Sequence, residues 1–550
     1  MTHILEGIRT VSVRNPILPG FNPDPSIVRR GTDYYIATST FEWFPGVQIH
    51  HSTDLVNWKL IGHALGEEHI DLRGIPASGG VWAPCLTVDP TNDRFYLVYS
   101  VMKSQVAEVF DVDNYVTWSD SIDGPWSKPM YVNSLGFDSS LFHDDDGTKW
   151  LVTLEWETRP GHEHPGWIVA QQFDPTTGNV SAPIRIHHGT TDRGAMEAPH
   201  LYKHDGRYFL MTAEGGTGFG HGVCLARSEH VLGPYESDPL SPFITSQPEP
   251  YFGRNYRDFL RPERFNPDSP LQKAGHGSLV ESADGHWYVA HLSSRVVPGT
   301  ELSILGRETS IQPVQWTEDG WLRLTSGGDL ALEIVDVASR TSSADSSLDI
   351  ISDFLDDIPV HFSVPRGPIH HSWCQPTPRG LLLRGRDSLH SRFDVSLVAT
   401  RLRGFVATAE TVLEFEPTHF SQAAGLTVFY DHLNFLFARV SYSEVWQSQT
   451  IALVRARSQL AVDEVLVEMP ISSGGVRLRA ALVDGQARFQ WRSGDEAQSW
   501  RSLGESVDTT FMSDEAIHGF TGQFVGVAVV DAVARRQGAL ISHFSLTYSA

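Results

Sequence analysis

Apolar and polar positions alternate in short runs along most of the chain, and the runs come in pairs. The clearest pair is MEAPHLYKHDGRYFLMTAEGG, Met196 to Gly216, in which a strand-like run meets the turn Asp205-Gly206 and a second run, Tyr208 to Met211, follows. Two such runs joined through Asp-Gly predict a β-hairpin. FDSSLFHDDDGTKWLVTLEW from Phe137 and GHGSLVESADGHWYVAHLSS from Gly275 repeat the plan. The same eight-residue offset separates Asp138 from Asp146, Glu197 from Asp205 and His276 from Asp284. FNPDPSIVRRGTDYYIATST from Phe21 and VWAPCLTVDPTNDRFYLVYS from Val81 complete a set of five. Self-similarity of this kind marks a repeat architecture.

Each hairpin continues into a second alternating pair, for example VQIHHSTDLVNWKLIG from Val47 and GVCLARSEHVLGPYESDP from Gly222. Units of about four strands, beginning roughly 56 to 79 residues apart, predict a five-bladed β-propeller over residues 1–335. SRTSSADSSLD, Ser339 to Asp349, reads as a linker. Beyond it, runs such as GLTVFYDHLNFLFARVSY and VRLRAALVDGQARFQWRS alternate without helical periodicity. They predict an antiparallel β-sandwich over residues 336–550. The expected fold class is all-β, a propeller followed by a sandwich, with no long helix.

Composition narrows the function classes. A formal net charge of -24 argues against nucleic-acid and anionic-membrane partners, and no apolar run is long enough for a membrane-spanning helix. The start, MTHILEGIRTVSVRNP, has neither the basic end nor the apolar core of a signal peptide. The three cysteines (Cys85, Cys224, Cys374) are scattered, with no metal-ligand spacing and no disulfide framework. These features predict a cytoplasmic protein.

The chemistry follows from the repeat. Residues at the start of each inner strand converge at one end of a propeller's central channel. Those positions hold Asp24, Asp138, Glu197 and His276, with Trp82 one or two places off in the second unit. A solvated surface would scatter its acids, and a structural repeat would use the same residue each time. Carboxyls brought together cannot all ionise cheaply, so their proton affinities separate and an acid stands beside a base. Glycoside hydrolysis needs that pair.

NPILPGFNPDPSIV, YYIATSTFEWFPGVQIHHS, SGGVWAPCL, SLFHDDDGTKWLV, PHLYKHDGRYFLMTAEGGTG, LQKAGHGSLVE and LGRET, with SRFDVSLVATR, AGLTVFYD and FTGQFVG later in the chain, resemble the β-xylosidases of glycoside hydrolase family 43. The resemblance spans nearly the whole sequence. It implies a propeller followed by a sandwich and, with inversion, release of D-xylose from the non-reducing ends of β-1,4-xylooligosaccharides. It also implies Asp24 as general base, Glu197 as general acid and Asp138 as the carboxylate that orients the acid. Arg307 is similar to the residue that binds sugar hydroxyls, and Phe41 and Trp82 to the walls of the sugar pocket. Phe520 or Phe524 is expected to reach over from the sandwich.

His276 resembles the channel histidine that in some relatives supports a calcium ion through waters. No cofactor is required, and a homo-oligomer, dimer or tetramer, is expected. The sequence departs from the family's pattern at Ser139, at Ala198 and in PGTELSIL, Pro298 to Leu305, a loop expected to border the pocket. α-L-arabinofuranosidase or mixed activity stays open, and a non-catalytic sugar-binding protein is a remoter alternative. A retaining fructan hydrolase is disfavoured, because Phe21-Asn-Pro-Asp24 runs in a different order from that class's Asn-Asp-Pro-Asn motif.

Overall fold

A computed structural model describes residues 9–106, 109–159, 162, 166–248, 265–339, 347–494 and 499–549. The first part of the chain forms five consecutive antiparallel sheets, each wound from neighbouring strands. Blade one uses Ser26–Arg30, Asp33–Thr38, Gly46–Ser52 and Lys59–Leu65, and blade two Gly80–Asp89, Arg94–Val106, Val109–Ser119 and Met130–Asn133. Blades three, four and five open with the strands Ser140–His143, Glu197–His204 and Gln272–Glu281. The opening strands of blades one to five touch in sequence order, and that of blade five lies against that of blade one. The sheets therefore close into the expected five-bladed propeller.

No strand is shared between the first and last blades. The ring is fastened outside itself by Arg9–Arg14 pairing with Ile334–Ser339. Between these, the Asn15 side chain donates to the carbonyls of Ile311 and Leu332, both at 2.9 Å, and accepts from Ile311 N–H at 2.8 Å. The strand Ile334–Ser339 thus belongs to the propeller, and the expected division at 335/336 falls inside it. Most of the expected linker, residues 340–346, lies outside the described residues.

The second part is a sandwich of a nine-stranded and a six-stranded antiparallel sheet. In Val476–Val483 the buried Val476, Leu478, Ala480 and Leu482 alternate with more exposed positions, as the sequence pattern predicts. Gln422–Asp431 breaks this rule, being buried at every residue. The cause is that both its faces are covered. Leu426 and Val428 pack in the core shared with Leu478, Phe489 and Ile541 of the other sheet, while Ala423 and Phe429 pack with Phe21, Phe41 and Trp43 of the propeller. The domain contact is a continuation of the core. Trp43 stacks on Phe524 at 3.7 Å between ring centroids, and the strand Trp43–Phe44 pairs with Val364–Pro365. Among the described residues the one α-helix is the short Asp514–Ile517, just before Phe520.

Candidate active site

At the head of the inner strands the five blades carry non-glycine residues with positive φ at equivalent places: Asp24, Ala83, Asp138, Ala198 and His276. Such backbone is uncommon for residues with a Cβ and is held only where its surroundings enforce it. The pairing register shifts beside three of them, between Trp82 and Cys85, Glu197 and His200, and Gln272 and Gly277. Bulges re-aim side chains in this way. The structural repeat therefore aligns Asp24, Asp138 and His276 as expected, but in blade four the equivalent residue is Ala198. Glu197, like Trp82, precedes the equivalent position by one and sits on the strand itself.

These residues meet in a cavity of about 190 Å³ lined by Asp24, Phe41, Trp82, Asp138, Glu197, His276, Arg307 and Phe520, among others. At ~30 Å³ per water, it holds about six waters, the space of a small sugar rather than a chain. Asp24 is buried and accepts from Ser39 Oγ at 2.6 Å, and Ser39 Oγ in turn accepts from Ala83 N–H at 2.7 Å. Arg307 Nη1 and His276 Nδ1 stand 3.5 and 3.6 Å from Asp24 Oδ1. Asp138 Oδ2 accepts from Ala198 N–H at 3.1 Å, which ties the third carboxylate to the backbone carrying Glu197. Burial, then the negative charges of Glu197 and Asp24, push the Asp138 carboxyl well above the usual range. Burial drives His276 down to about 3, so its ring is neutral.

Arg307 is clamped between rings, its guanidinium carbon 5.3 Å from the centre of Phe41 and 5.2 Å from that of Phe520. Nη1 donates to Thr217 Oγ1 at 2.7 Å and Nη2 to the Phe520 carbonyl at 3.2 Å. Phe520 N–H donates to Ser78 Oγ, while Ser78 O accepts from Trp82 Nε1 and Gln105 Nε2. Phe520 is thus the sandwich residue that walls the site. Phe524 is not: it is fully buried between Trp43 and Phe21, and its expected place in the pocket is corrected. The loop Pro298 to Leu305 is corrected as well. It faces the sandwich, with Ser303 N–H donating to Glu515 and Ile304 O accepting from Gln523 N–H.

Other lining residues were not anticipated. Phe110, Phe137 and Trp156 extend the aromatic wall from blades two and three, with Phe110 and Trp156 stacked at 4.7 Å. Phe137 was detectable, since it directly precedes Asp138. His221, fully buried with Nε2 3.5 Å from Glu197 Oε1, was detectable too: Gly220-His221-Gly222 repeats the Gly275-His276-Gly277 motif. Phe110 and Trp156 lie at strand positions without a sequence mark.

His276 offers one nitrogen toward Asp24, and among the described residues no three His, Cys, Asp or Glu side chains converge as a ligand set. Calcium takes six to eight oxygens. The protein groups present do not supply them.

A cavity with three carboxylates and an arginine between aromatic rings, at the heads of a propeller's inner strands, defines a glycoside hydrolase. Residues 13–322 match the model for glycosyl hydrolases family 43, and residues 353–547 match the β-xylosidase C-terminal concanavalin A-like domain. The chain belongs to glycosyl hydrolase family 43, an inverting family that needs no cofactor for catalysis. It is 39% identical over 544 residues to a xylosidase/arabinosidase of Humicola insolens, covering 97% of both chains. It is 36% identical over 539 residues to a β-xylosidase of Bacillus subtilis, covering 95% of this chain and 97% of that one. A solved structure of a xylan β-1,4-xylosidase from Bacillus halodurans superposes with a TM-score of 0.89 at 40% identity, covering 97% of this chain and 100% of the other.

Proposed function

We propose that the protein is an exo-acting β-D-xylosidase that removes single xylose units from the non-reducing ends of β-1,4-xylooligosaccharides with inversion. The observation that carries this reading is the cavity walled by Phe520, which has room for a small sugar beside Asp24, Asp138 and Glu197. Asp24 activates water, held by the Ser39 hydroxyl and Arg307. Glu197 protonates the leaving oxygen. Asp138, which accepts from the N–H of Ala198 next to Glu197, orients the acid. Arg307, fixed by Thr217 and the rings of Phe41 and Phe520, binds the hydroxyls of the terminal sugar.

Blades one and four are not neighbours in the ring. Placing base and acid on them suits the wide carboxyl separation, ~6.5–9.5 Å, that leaves room for the attacking water. Proton NMR during hydrolysis of a β-xyloside tests this: α-xylose appears first, before mutarotation, and initial β-xylose overturns the assignment.

A second reading, activity on α-L-arabinofuranosides as well, is favoured by the similarity to the Humicola insolens xylosidase/arabinosidase. Nitrophenyl xyloside and arabinofuranoside assayed side by side separate the two. No step of the reading runs through calcium, which on His276 would have to draw its oxygens from water. The three free, buried cysteines suit a reducing compartment. We accordingly place the enzyme in the cytoplasm, and its recovery from the medium or periplasm on fractionation would overturn that.

A further inference from the structure

We propose that His221 is a positioning residue for the general acid, with its Nε2 lone pair accepting a hydrogen bond from the protonated Glu197 carboxyl, and that the sandwich domain holds it there through Lys273. The inference rests on Glu197 being the acid, as proposed above.

The geometry fixes which ring nitrogen carries the hydrogen. His221 Nδ1 lies 3.1 Å from the carbonyl oxygen of Lys273. A carbonyl only accepts, so Nδ1 is the N–H donor. Nε2 is left with its lone pair. It is buried, has no hydrogen-bond partner among the described residues, and stands 3.5 Å from Glu197 Oε1. A contact of that length in an empty site is in the range that tightens when substrate binds. The ring packs directly on the backbone of Gly275, where an added Cβ would meet it at 2.3 Å. Gly275 is the residue that lets the imidazole fit beside blade five.

The carbonyl that anchors His221 is itself held. Lys273 is fully buried, has φ of 58°, and its Nζ reaches Glu515 Oε1 at 2.7 Å and Asp514 Oδ2 at 3.2 Å. Both acids belong to the short helix of the sandwich domain. Asp514 Oδ1 accepts from Tyr430 Oη at 2.9 Å, and Glu515 accepts from Ser303. A chain of contacts thus runs from the sandwich acids through Lys273 and His221 to Glu197. Such an acceptor holds the carboxyl rotamer with its proton on Glu197 until substrate binds, when the O–H turns from His221 Nε2 to the leaving oxygen and is transferred there, leaving Glu197 as the carboxylate and His221 neutral throughout.

The test compares a poor leaving group with a good one. His221→Asn keeps a donor for the Lys273 carbonyl and removes the atom facing Glu197. Its kcat on xylobiose should fall about 100-fold, the low end of what a positioned proton donor contributes. Its kcat on 2,4-dinitrophenyl β-D-xyloside should change less than about threefold, with KM on both little altered. His221→Gln, whose carboxamide reaches back toward Glu197, should recover at least about a tenth of the xylobiose rate. Equal losses on the two substrates overturn the inference, as does an unchanged xylobiose rate. Glu197→Gln is measured in parallel: if its losses are also equal on the two substrates, the acid assignment itself falls. Neutron diffraction from the unmutated enzyme gives an answer free of folding effects. Deuterium is expected on Nδ1 of His221 and on Glu197 Oε1, and deuterium on Nε2 overturns the inference.

Discussion

Arg307 and Phe520 are joined across the domain boundary: Nη2 of the arginine donates to the phenylalanine's carbonyl oxygen at 3.2 Å, and the guanidinium lies over its ring. An arginine of the propeller that lines the pocket is therefore held by a residue of the other domain. Phe520→Ala should raise KM for xylobiose roughly tenfold, about 1.5 kcal/mol for a partly buried ring, with little change in melting temperature. Phe524→Ala should do the opposite, costing about 3–5 kcal/mol of stability as a core truncation. Steady-state kinetics and denaturant unfolding of the two variants check this.

A chain ending after Ser339 keeps all five blades and the strand pair that fastens them. It should nonetheless be inactive and prone to aggregate, because it loses Phe520 and exposes Phe21, Phe41 and Trp43. Size-exclusion chromatography and nitrophenyl xyloside turnover provide the test, and full activity from a monomeric truncation would contradict it.

Asp24→Ala should lose activity on every substrate, since no leaving group removes the need for an activated water. Glu197→Ala should lose about 100-fold or more on xylobiose and far less on 2,4-dinitrophenyl β-D-xyloside, which leaves without a proton. Parallel kcat measurements on the two substrates distinguish base from acid.

Asp138 binds its proton more tightly in the folded protein than an ordinary carboxyl, through burial and two negative neighbours. Asp138→Asn removes the repulsion, so the basic limb of the kcat profile should move to lower pH by about one unit or more. The stability sign follows from the same shift. A raised carboxyl contributes stability that is present at acid pH and lost as pH rises through the folded value. Asp138→Asn should therefore melt higher than the parent on the alkaline side and show a flatter dependence of Tm on pH.

Prolonged chelation should leave kcat and KM unchanged, since among the described residues no ligand set for a divalent ion surrounds the neutral His276. Kinetics in EDTA, with elemental analysis of the protein as prepared, check this. Activity lost to EDTA and restored by calcium would refute it.

The fold was largely legible because a propeller writes its repeat into the chain. The turns at Asp146, Asp205 and Asp284 mark the strand pairs, and the acids just before them mark the channel end. Legibility stopped where the backbone bulges. An eight-residue offset aligned Glu197 with Asp138, whereas the positive-φ residue of blade four is Ala198. Alternation also failed in Gln422–Asp431, because a strand covered on both faces has no polar side to show. That double coverage decided between Phe520 and Phe524. Four residues apart in one motif, they look alike in sequence, and only the docking of Trp43 shows that Phe524 is spent on the domain contact.

The last wall of the pocket comes from Phe520, whereas the fifth blade ends at Leu324, far earlier in the chain. During synthesis the carboxylates can assemble long before the enclosure around them exists. A nascent chain would carry an acid cluster open to solvent and no competent enzyme. Turnover therefore begins only after Phe520 has been made and has docked, and the appearance of activity in a cell-free reaction can serve as a clock for the sandwich closing on the propeller.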